Sequence, residues 1–509
     1  MHFLFLVAFV PSVALFQGTA ASPLPGLAEP RENPTQSSTG ELTWGPCPER
    51  FNNTPNVTCA NYSVPLDWKN RNTSENTTLG IIRHEARDQS RRIGSLFVNP
   101  GGPGGQASGL LASIVQTDTV SKDILDRFDL IGLDPRGVGL STNVKCDPDV
   151  YNQRVSFFPT TQDEYEDLVA YNKQVGESCR NLTGPLIDFV DTISAARDHE
   201  EVRLALGGEK ASFVGLSYGT QLFSQYAELF PDGIRAMVLD GLLQHSQSEA
   251  SNLLIESSTY ETGLGEFFAW CDGADDCAIP GVDSQQTYLK VLDKAQQAPI
   301  PAPGCDDGPQ TGCRSTVTEE DVRFNAQGLL TRVARWPKLA QSLEEALNGN
   351  ATLLSQVQSL AVGDEYEDSV LFAGTAIQCQ DWSHGSDSLA AVQEKAILGA
   401  AFSPLTRGAC QTYRIQTSCI GWPAPLTNPE RPIKYAGDTK ILMVNSNYDP
   451  STSYVWAVGM KAELGDNAVF VTRNGSGHTS WLLGGATSAA ETEYLLDLTL
   501  PADGTVLDS

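Results

Sequence analysis

Residues 211–222, Ala-Ser-Phe-Val-Gly-Leu-Ser-Tyr-Gly-Thr-Gln-Leu, restrict this chain more than any other stretch. A short apolar run (Phe213, Val214) enters Gly215-Leu216-Ser217-Tyr218-Gly219, and a helix-compatible segment over 221–230 leaves it. G-x-S-x-G between strand and helix is a sharp, strained turn, and its glycines let the two elements pass close because they carry no Cβ. The hydroxyl of Ser217 then stands exposed above the sheet edge, and the N–H of Tyr218 points to where an oxyanion would form. An ordinary Gly/Ser turn is the competing reading. The flanking strand and helix favour a nucleophile.

The neighbouring sequence supplies a sheet for that turn. Strands are expected over 78–83, 95–98, 128–133 and 236–239. A helix over 191–206 carries Ile193, Ala196, Val202 and Leu206 at helical spacing and ends at Gly207-Gly208. Alternating strands and helices point to the α/β class with a mostly parallel central sheet flanked by helices. From 242 to 432 the rhythm breaks into helix-like, loop-rich sequence, and strand patterns return at 440–444 and 468–472. At 509 residues the chain exceeds the ~250–300 at which single cores stop growing. The expected organisation is a core over 44–241 and 433–509, with 242–432 inserted as a large, mainly helical cap over the serine.

A serine needs a base, and the base needs an orienting acid. On this topology the order is Ser, then Asp/Glu, then His. Only His245, His384 and His478 follow Ser217. His478 lies in Asn474-Gly-Ser-Gly-His-Thr-Ser480, directly after the last expected strand, and is the expected base. Asp449, in Asn445-Ser-Asn-Tyr-Asp-Pro-Ser451, follows the preceding strand and is the expected acid, whereas Asp438 precedes that strand and Asp466 comes too late. Asn99-Pro-Gly-Gly-Pro-Gly-Gly105 lets backbone approach a substrate carbonyl. The amides of Gly102 and Tyr218 are therefore the expected oxyanion hole. A phosphate-binding loop would want a following Gly-Lys-Ser/Thr, which is missing.

The formal net charge of −28 disfavours nucleic acid and anionic membrane surfaces as partners. An apolar run over 3–16 followed by small residues reads as a signal peptide (1–21), with a flexible leader over 22–43. That run is short for a span and Pro11 interrupts it, so no stable membrane anchor is expected. Sequons at Asn52, Asn56, Asn61, Asn72, Asn76, Asn181, Asn350 and Asn474 suit a secreted glycoprotein. The eleven cysteines fall largely into near pairs, Cys47/Cys59, Cys271/Cys277 and Cys305/Cys313, with Cys146/Cys179 a fourth. Cys379, Cys410 and Cys419 leave one odd thiol; Cys379 and Cys419 are carried as disulfide candidates. Without a C-x-x-C pair and with six histidines, no metal site or cofactor is expected, and disulfides explain the cysteines better.

With these residues placed, the chain resembles the tripeptidyl aminopeptidase-like branch of the α/β-hydrolases, relatives of prolyl aminopeptidase. The resemblance runs over roughly 44–490. It rests on residues 99–105, Asp134-Pro-Arg-Gly-Val-Gly-Leu-Ser141, the elbow, Asp449-Pro450 and Gly477-His478. Tyr260-Glu261 through Cys271, Ala376-Ile-Gln-Cys-Gln-Asp381, Cys419 and Trp422 extend it. It implies the α/β-hydrolase fold and a secreted serine exopeptidase releasing short N-terminal pieces or a terminal proline. It also offers Glu261 as an anchor for the substrate's free amine. Pro100 stands where prolyl aminopeptidases carry His, which leaves the amides but unsettles specificity. The alternative is an esterase or lactonase with the same triad, acting on a small-molecule ester or amide. A non-catalytic binding scaffold is disfavoured by the intact set of three, and Ser217 in place of an elbow aspartate excludes the usual epoxide hydrolase. Oligomeric state is left open.

Overall fold

The computed structural model describes residues 42–117, 119–279, 283–305, 313–355 and 370–508; the expected signal peptide and most of the leader lie outside the described residues. Nine strands form one sheet: β1 (Val57–Pro65), β2 (Asn76–His84), β3 (Gly94–Asn99), β4 (Phe128–Leu133), β5 (Ala211–Leu216), β6 (Ile234–Asp240), β9 (Ile441–Tyr448), β10 (Ala468–Ser476) and β11 (Thr505–Asp508). Two-residue strands β7 (Ile300–Pro301) and β8 (Thr316–Val317) pair separately. The sheet order is β1-β2-β4-β3-β5-β6-β9-β10-β11. β1–β2 and β2–β4 are antiparallel, and every pair from β4–β3 to β10–β11 is parallel. This is the α/β-hydrolase arrangement, a mostly parallel sheet wrapped by helices.

Strand alternation sends neighbouring side chains to opposite faces. Phe97, Phe213, Met237 and Met443 pack on one face against the helices Thr192–Ala205, Tyr218–Leu229 and Tyr454–Leu464. Leu96, Val214, Val238 and Val444 pack on the other against Ala107–Thr117, Lys122–Arg127 and Gly485–Asp497. Strands covered on both faces read as unbroken apolar runs, which is why 236–239 (Ala-Met-Val-Leu) was legible as a strand.

Two elements differ from the expectation. Residues 57–65 form the antiparallel edge strand β1, in a stretch of sequons and cysteines where no strand is expected. Its outer face is exposed at Asn61 and Ser63 while Tyr62 and Val64 are buried, so a half-buried alternation lay under the sequons. The elbow helix begins at Tyr218 rather than 221, because Gly219 and Thr220 form its first turn.

Between β6 and β9 the chain leaves the sheet for a helical layer that includes Glu249–Gly273, Glu319–Leu330, Val370–Asp381 and Gln411–Ser418, with its own apolar core. Five disulfides tie the described chain: Cys47–Cys59, Cys146–Cys179, Cys271–Cys277, Cys305–Cys313 and Cys379–Cys419. The odd thiol is Cys410, which is buried.

The Asp134-Pro-Arg-Gly turn after β4 is structural. Asp134 accepts from Ser108 N and Oγ (2.8 and 2.7 Å) and from Leu140 N (2.7 Å). Arg136 is fully buried; its guanidinium donates to both oxygens of Asp198 (2.7 and 2.6 Å) and to the carbonyls of Leu66, Phe189 and Pro65. Removing one member of such a pair strands a buried charge, at about 3–5 kcal/mol. Arg136→Leu is therefore expected to lower the denaturant midpoint sharply, and a midpoint within error of the parent would refute that role.

Candidate active site

All the expected site residues except Glu261 sit at the carboxyl ends of neighbouring parallel strands or in the loops that follow. Ser217 leaves β5 with φ 57° and ψ −127°, and its N–H donates to Asp240 O at the end of β6 (2.9 Å). Its backbone carbonyl accepts from Thr220 N (2.8 Å) and Oγ1 (2.6 Å), which fixes the first helical turn. The glycines around it leave no room for a side chain. A Cβ at Gly101 would lie 2.8 Å from Ser217 Cβ and 2.9 Å from Tyr218 N, and one at Gly215 would lie 2.4 Å from Gly219 O.

Asp449 follows β9 and is buried. Its Oδ1 accepts from Ser451 N and Thr452 N, each at 2.9 Å, and its Oδ2 accepts from Thr452 Oγ1 at 2.7 Å. That same Oδ2 lies 2.8 Å from His478 Nδ1. Burial pushes the Asp449 carboxyl up, but the charge and hydrogen bond of His478 and the two amides outweigh it and hold it below the ordinary value. His478 follows β10 through Gly477, which stands at φ +97°. His478 N donates to Thr331 O of the helical layer (2.8 Å). Gly241, just past β6, stands at φ +74°, and a Cβ there would lie 3.2 Å from His478 Cε1, so a side chain would crowd the ring.

The structure thus joins Asp449 directly to His478 and sets Ser217 and Gly102 on the wall of one cavity of about 480 Å³ beneath the helical layer. Gly102 stands at φ +113°, and its bond to Pro103 is cis. Thr452, which contacts both Asp449 and His478 Nδ1 (3.1 Å), escaped the sequence reading. The Asp-Pro-Ser-Thr order, with hydroxyls two and three residues after an aspartate, is the turn signal that could have found it.

The other weighed residues lie elsewhere. His245 is buried, contacts Asp381 O through Nε2 (2.6 Å) and is held near pKa 4 by burial. Asp438 and Asp466 are exposed.

Glu261 requires a correction. It accepts from Ser403 Oγ (2.9 Å) and Leu405 N, pinning a loop of the helical layer, and it does not line the cavity. Glu256 and Glu430 do. Glu256 lies five residues earlier on the same helix and Glu430 in a distant segment, so spacing alone could not have chosen them. Among the described residues, no three His, Cys, Asp or Glu side chains are grouped to hold a metal ion.

Tyr218 is anchored from the side facing the helical layer. Its phenol lies 2.5 Å from Thr192 Oγ1, which in turn bonds Asp381 at the end of Val370–Asp381. Asp381 also accepts from Thr192 N (3.0 Å), Asn428 Nδ2 (2.9 Å) and Gln221 Nε2 (3.3 Å). One buried carboxyl therefore fastens the elbow helix, a core helix and the helical layer together.

Comparison with known proteins agrees with this fold. The α/β-hydrolase fold family matches residues 94–295, and the family described as TAP-like protein matches 404–507. The chain is 27% identical over 482 residues to serine protease Hip1 of Mycobacterium tuberculosis, covering 91% of this chain and 90% of that one. It is 29% identical over 509 residues to carboxylesterase B of the same species (95% and 94% covered). It is 24% identical over 451 residues to tripeptidyl aminopeptidase of Streptomyces lividans (86% and 81%).

Burial, reinforced by the neighbouring Asp191 charge, lifts the Asp381 carboxyl to about 7, against 3.8 when free. A carboxyl whose pKa rises on folding gives stability that is full below the unfolded value and lost as pH climbs to the folded one. Asp381→Asn should flatten the fall in Tm between pH 4 and 7. An unaltered slope in thermal scans across that window would contradict the assignment.

Proposed function

The chain belongs to the TAP-like branch of the α/β-hydrolases, and on that premise we propose that Ser217, His478 and Asp449 are its nucleophile, base and orienting acid. The observation that carries this reading is the 2.8 Å contact between Asp449 Oδ2 and His478 Nδ1, formed beside a strained serine elbow. Asp449 accepts the Nδ1 proton of His478, which leaves Nε2 as the basic nitrogen. His478 takes the proton of Ser217 as Oγ attacks a carbonyl carbon. The tetrahedral oxyanion is received by the amides of Gly102 and Tyr218. His478 then protonates the leaving amine or alcohol, an acyl-enzyme forms, and a water that gives its proton to His478 releases the acid.

Among serine hydrolase activities the reading is exopeptidase cleavage near a free amino terminus, of the tripeptidyl or prolyl aminopeptidase kind. A cavity roofed by helices suits a chain end better than a mid-chain loop. Glu256, which accepts from Gln327 Nε2 and Thr412 N, and Glu430, which accepts from Ser383 N and Oγ, bring carboxyl groups to the cavity wall that Glu261 does not reach, where an amine would be drawn. A second reading, esterase or lactonase action, has the carboxylesterase B relative in its favour. Export as a glycoprotein is part of the proposal. It is supported by the five disulfides and by seven exposed sequon asparagines, with Asn350 half-buried. No described helix is long and apolar enough to cross a membrane.

Ser217→Ala should abolish labelling by a fluorophosphonate probe while leaving the far-UV spectrum intact; undiminished labelling would remove Ser217 from the mechanism. Asp449→Asn is expected to lower kcat by about 10³–10⁴-fold, since the wrong tautomer of His478 is then favoured. Acetylating the amino terminus of a peptide substrate should end its turnover if the enzyme is an aminopeptidase. Retained turnover would support the esterase-like reading.

A further inference from the structure

The helix Val370–Asp381 of the helical layer meets both segments from which the oxyanion donors are expected. Near its start it lies against the loop after β3, backbone to backbone. Gly104 stands at φ +90°, and a Cβ there would overlap Val370 O and lie 2.9 Å from Gly374 N. A Cβ on Gly374, which is buried, would lie 2.9 Å from Pro103 O. Helix and loop come this close only because glycines face each other. Pro103 and Gly104, the two residues after Gly102, therefore rest on this helix. Gly101, on the other side, is pressed against Tyr218 N, where a Cβ would lie at 2.9 Å.

The far end of the same helix reaches the elbow. Asp381 accepts from Thr192 N (3.0 Å) and Oγ1, and Thr192 Oγ1 lies 2.5 Å from the Tyr218 phenol. The Tyr218 ring also belongs to an apolar cluster with Ala373, Ala376 and Ile377 of the helix. The helix is itself tied down, by the Cys379–Cys419 disulfide and by Gln380 Nε2 donating to Ile187 O (2.6 Å). Its remaining face, with Leu371, Thr375 and Gln378, lines the cavity that holds Ser217. An oxyanion hole works only while its donors stand at hydrogen-bond distance from where the charge develops. A glycine loop has little stiffness of its own, so its amides are held by whatever it rests on.

We propose that the helix Val370–Asp381 holds the two oxyanion donors in register, with Gly374 setting the position of the Gly102 amide and Thr192, gripped by Asp381, setting that of the Tyr218 amide. Gly374 and Thr192 are thus positioning residues, which act through the donors. The inference rests on the hydrolase reading above and goes beyond it, because it makes the helical layer part of the catalytic apparatus as well as its roof.

The test is steady-state hydrolysis of 4-nitrophenyl acetate and of its thiono analogue, in which the carbonyl oxygen is replaced by sulfur, a poor hydrogen-bond acceptor. Gly374→Ala should lower kcat for the ester by about 10- to 100-fold while KM stays within about threefold, as befits donors displaced rather than lost. The thiono ester gains little from the hole, so its turnover should fall less and the ester-to-thiono ratio should shrink. Alanine favours helix over glycine, so a purely structural role predicts an unchanged or higher Tm and no loss of kcat. Gly265→Ala, on the helix Glu249–Gly273 where a Cβ meets nothing within 4 Å, is the control expected to match the parent. Thr192→Val keeps the side-chain shape, deletes the hydroxyl and should reproduce the kcat loss, whereas Thr192→Ser should restore most of it. If Gly374→Ala fails to fold, the Thr192 pair decides alone. An unchanged kcat in either folded variant, a loss carried by KM, or equal losses on ester and thiono ester overturns the proposal. A parent enzyme inert both to the ester and to a fluorophosphonate overturns the hydrolase reading and this inference with it, an outcome distinct from an active parent with active variants.

Discussion

Ser217 stands in a left-handed region that a residue with a side chain occupies at a cost of about 1–3 kcal/mol, and the surrounding core holds it there. The hold is steric before it is electrostatic. β5 and the elbow helix approach so closely that Gly215 admits no Cβ, a Cβ on Gly219 would lie 2.9 Å from Asn99 O at the end of β3, and the loop after β3 presses Gly101 against the serine. The amide of Ser217 is bonded across to the end of β6, and the amide of Gly241 is bonded onward to Val444 of β9. Parallel pairing therefore sets the relative heights of the strand ends from which Ser217, Asp449 and His478 depart.

Two buried guanidinium groups, those of Arg136 and Arg473, are each met by fixed partners. Arg136 spends its donors on Asp198 and three carbonyls, and so joins the turn after β4 to β1's exit and to the helix Thr192–Ala205. Arg473 does the same beneath the histidine loop. It donates to Ser480 Oγ and to the carbonyls of Ser476, Gly477 and Thr479, so the backbone on both sides of His478 rests on one buried guanidinium. Asp240 completes that support by accepting from Ser480 N and Trp481 N (2.6 and 2.9 Å). The helical layer reaches the site through few but specific bonds: Thr331 O to His478 N, and Asp381 to Thr192 beside Tyr218. Any shift of that layer is therefore felt at His478 and at the elbow together.

Much of this was legible because it is local. A strand buried on both faces writes itself as an apolar run, as over 236–239, and a serine elbow writes itself as Gly-x-Ser-x-Gly. Asp449 and His478 were legible by elimination, since few histidines follow the serine and each expected residue had to trail a strand. The edge strand β1 was obscured because its outward positions carry sequons and its entry carries Cys47 and Cys59. Glu261 misled for a related reason. It lies on a helix whose neighbour Glu256 faces the cavity, and five residues along a helix turn a side chain about 140° away.

The sequence by itself carried the class of fold, the three residues proposed as nucleophile, acid and base, and most cysteine partners, because each depends on short-range pattern or on order along the chain. Only tertiary structure decided that Cys379 pairs with Cys419 and leaves Cys410 buried, that Thr452 and Thr331 brace the histidine, and that Asp381 fastens the elbow. Those partners come from segments tens to hundreds of residues apart. Their meeting is fixed by how the helical layer docks on the sheet, and docking is a property of packed surfaces that no local periodicity encodes.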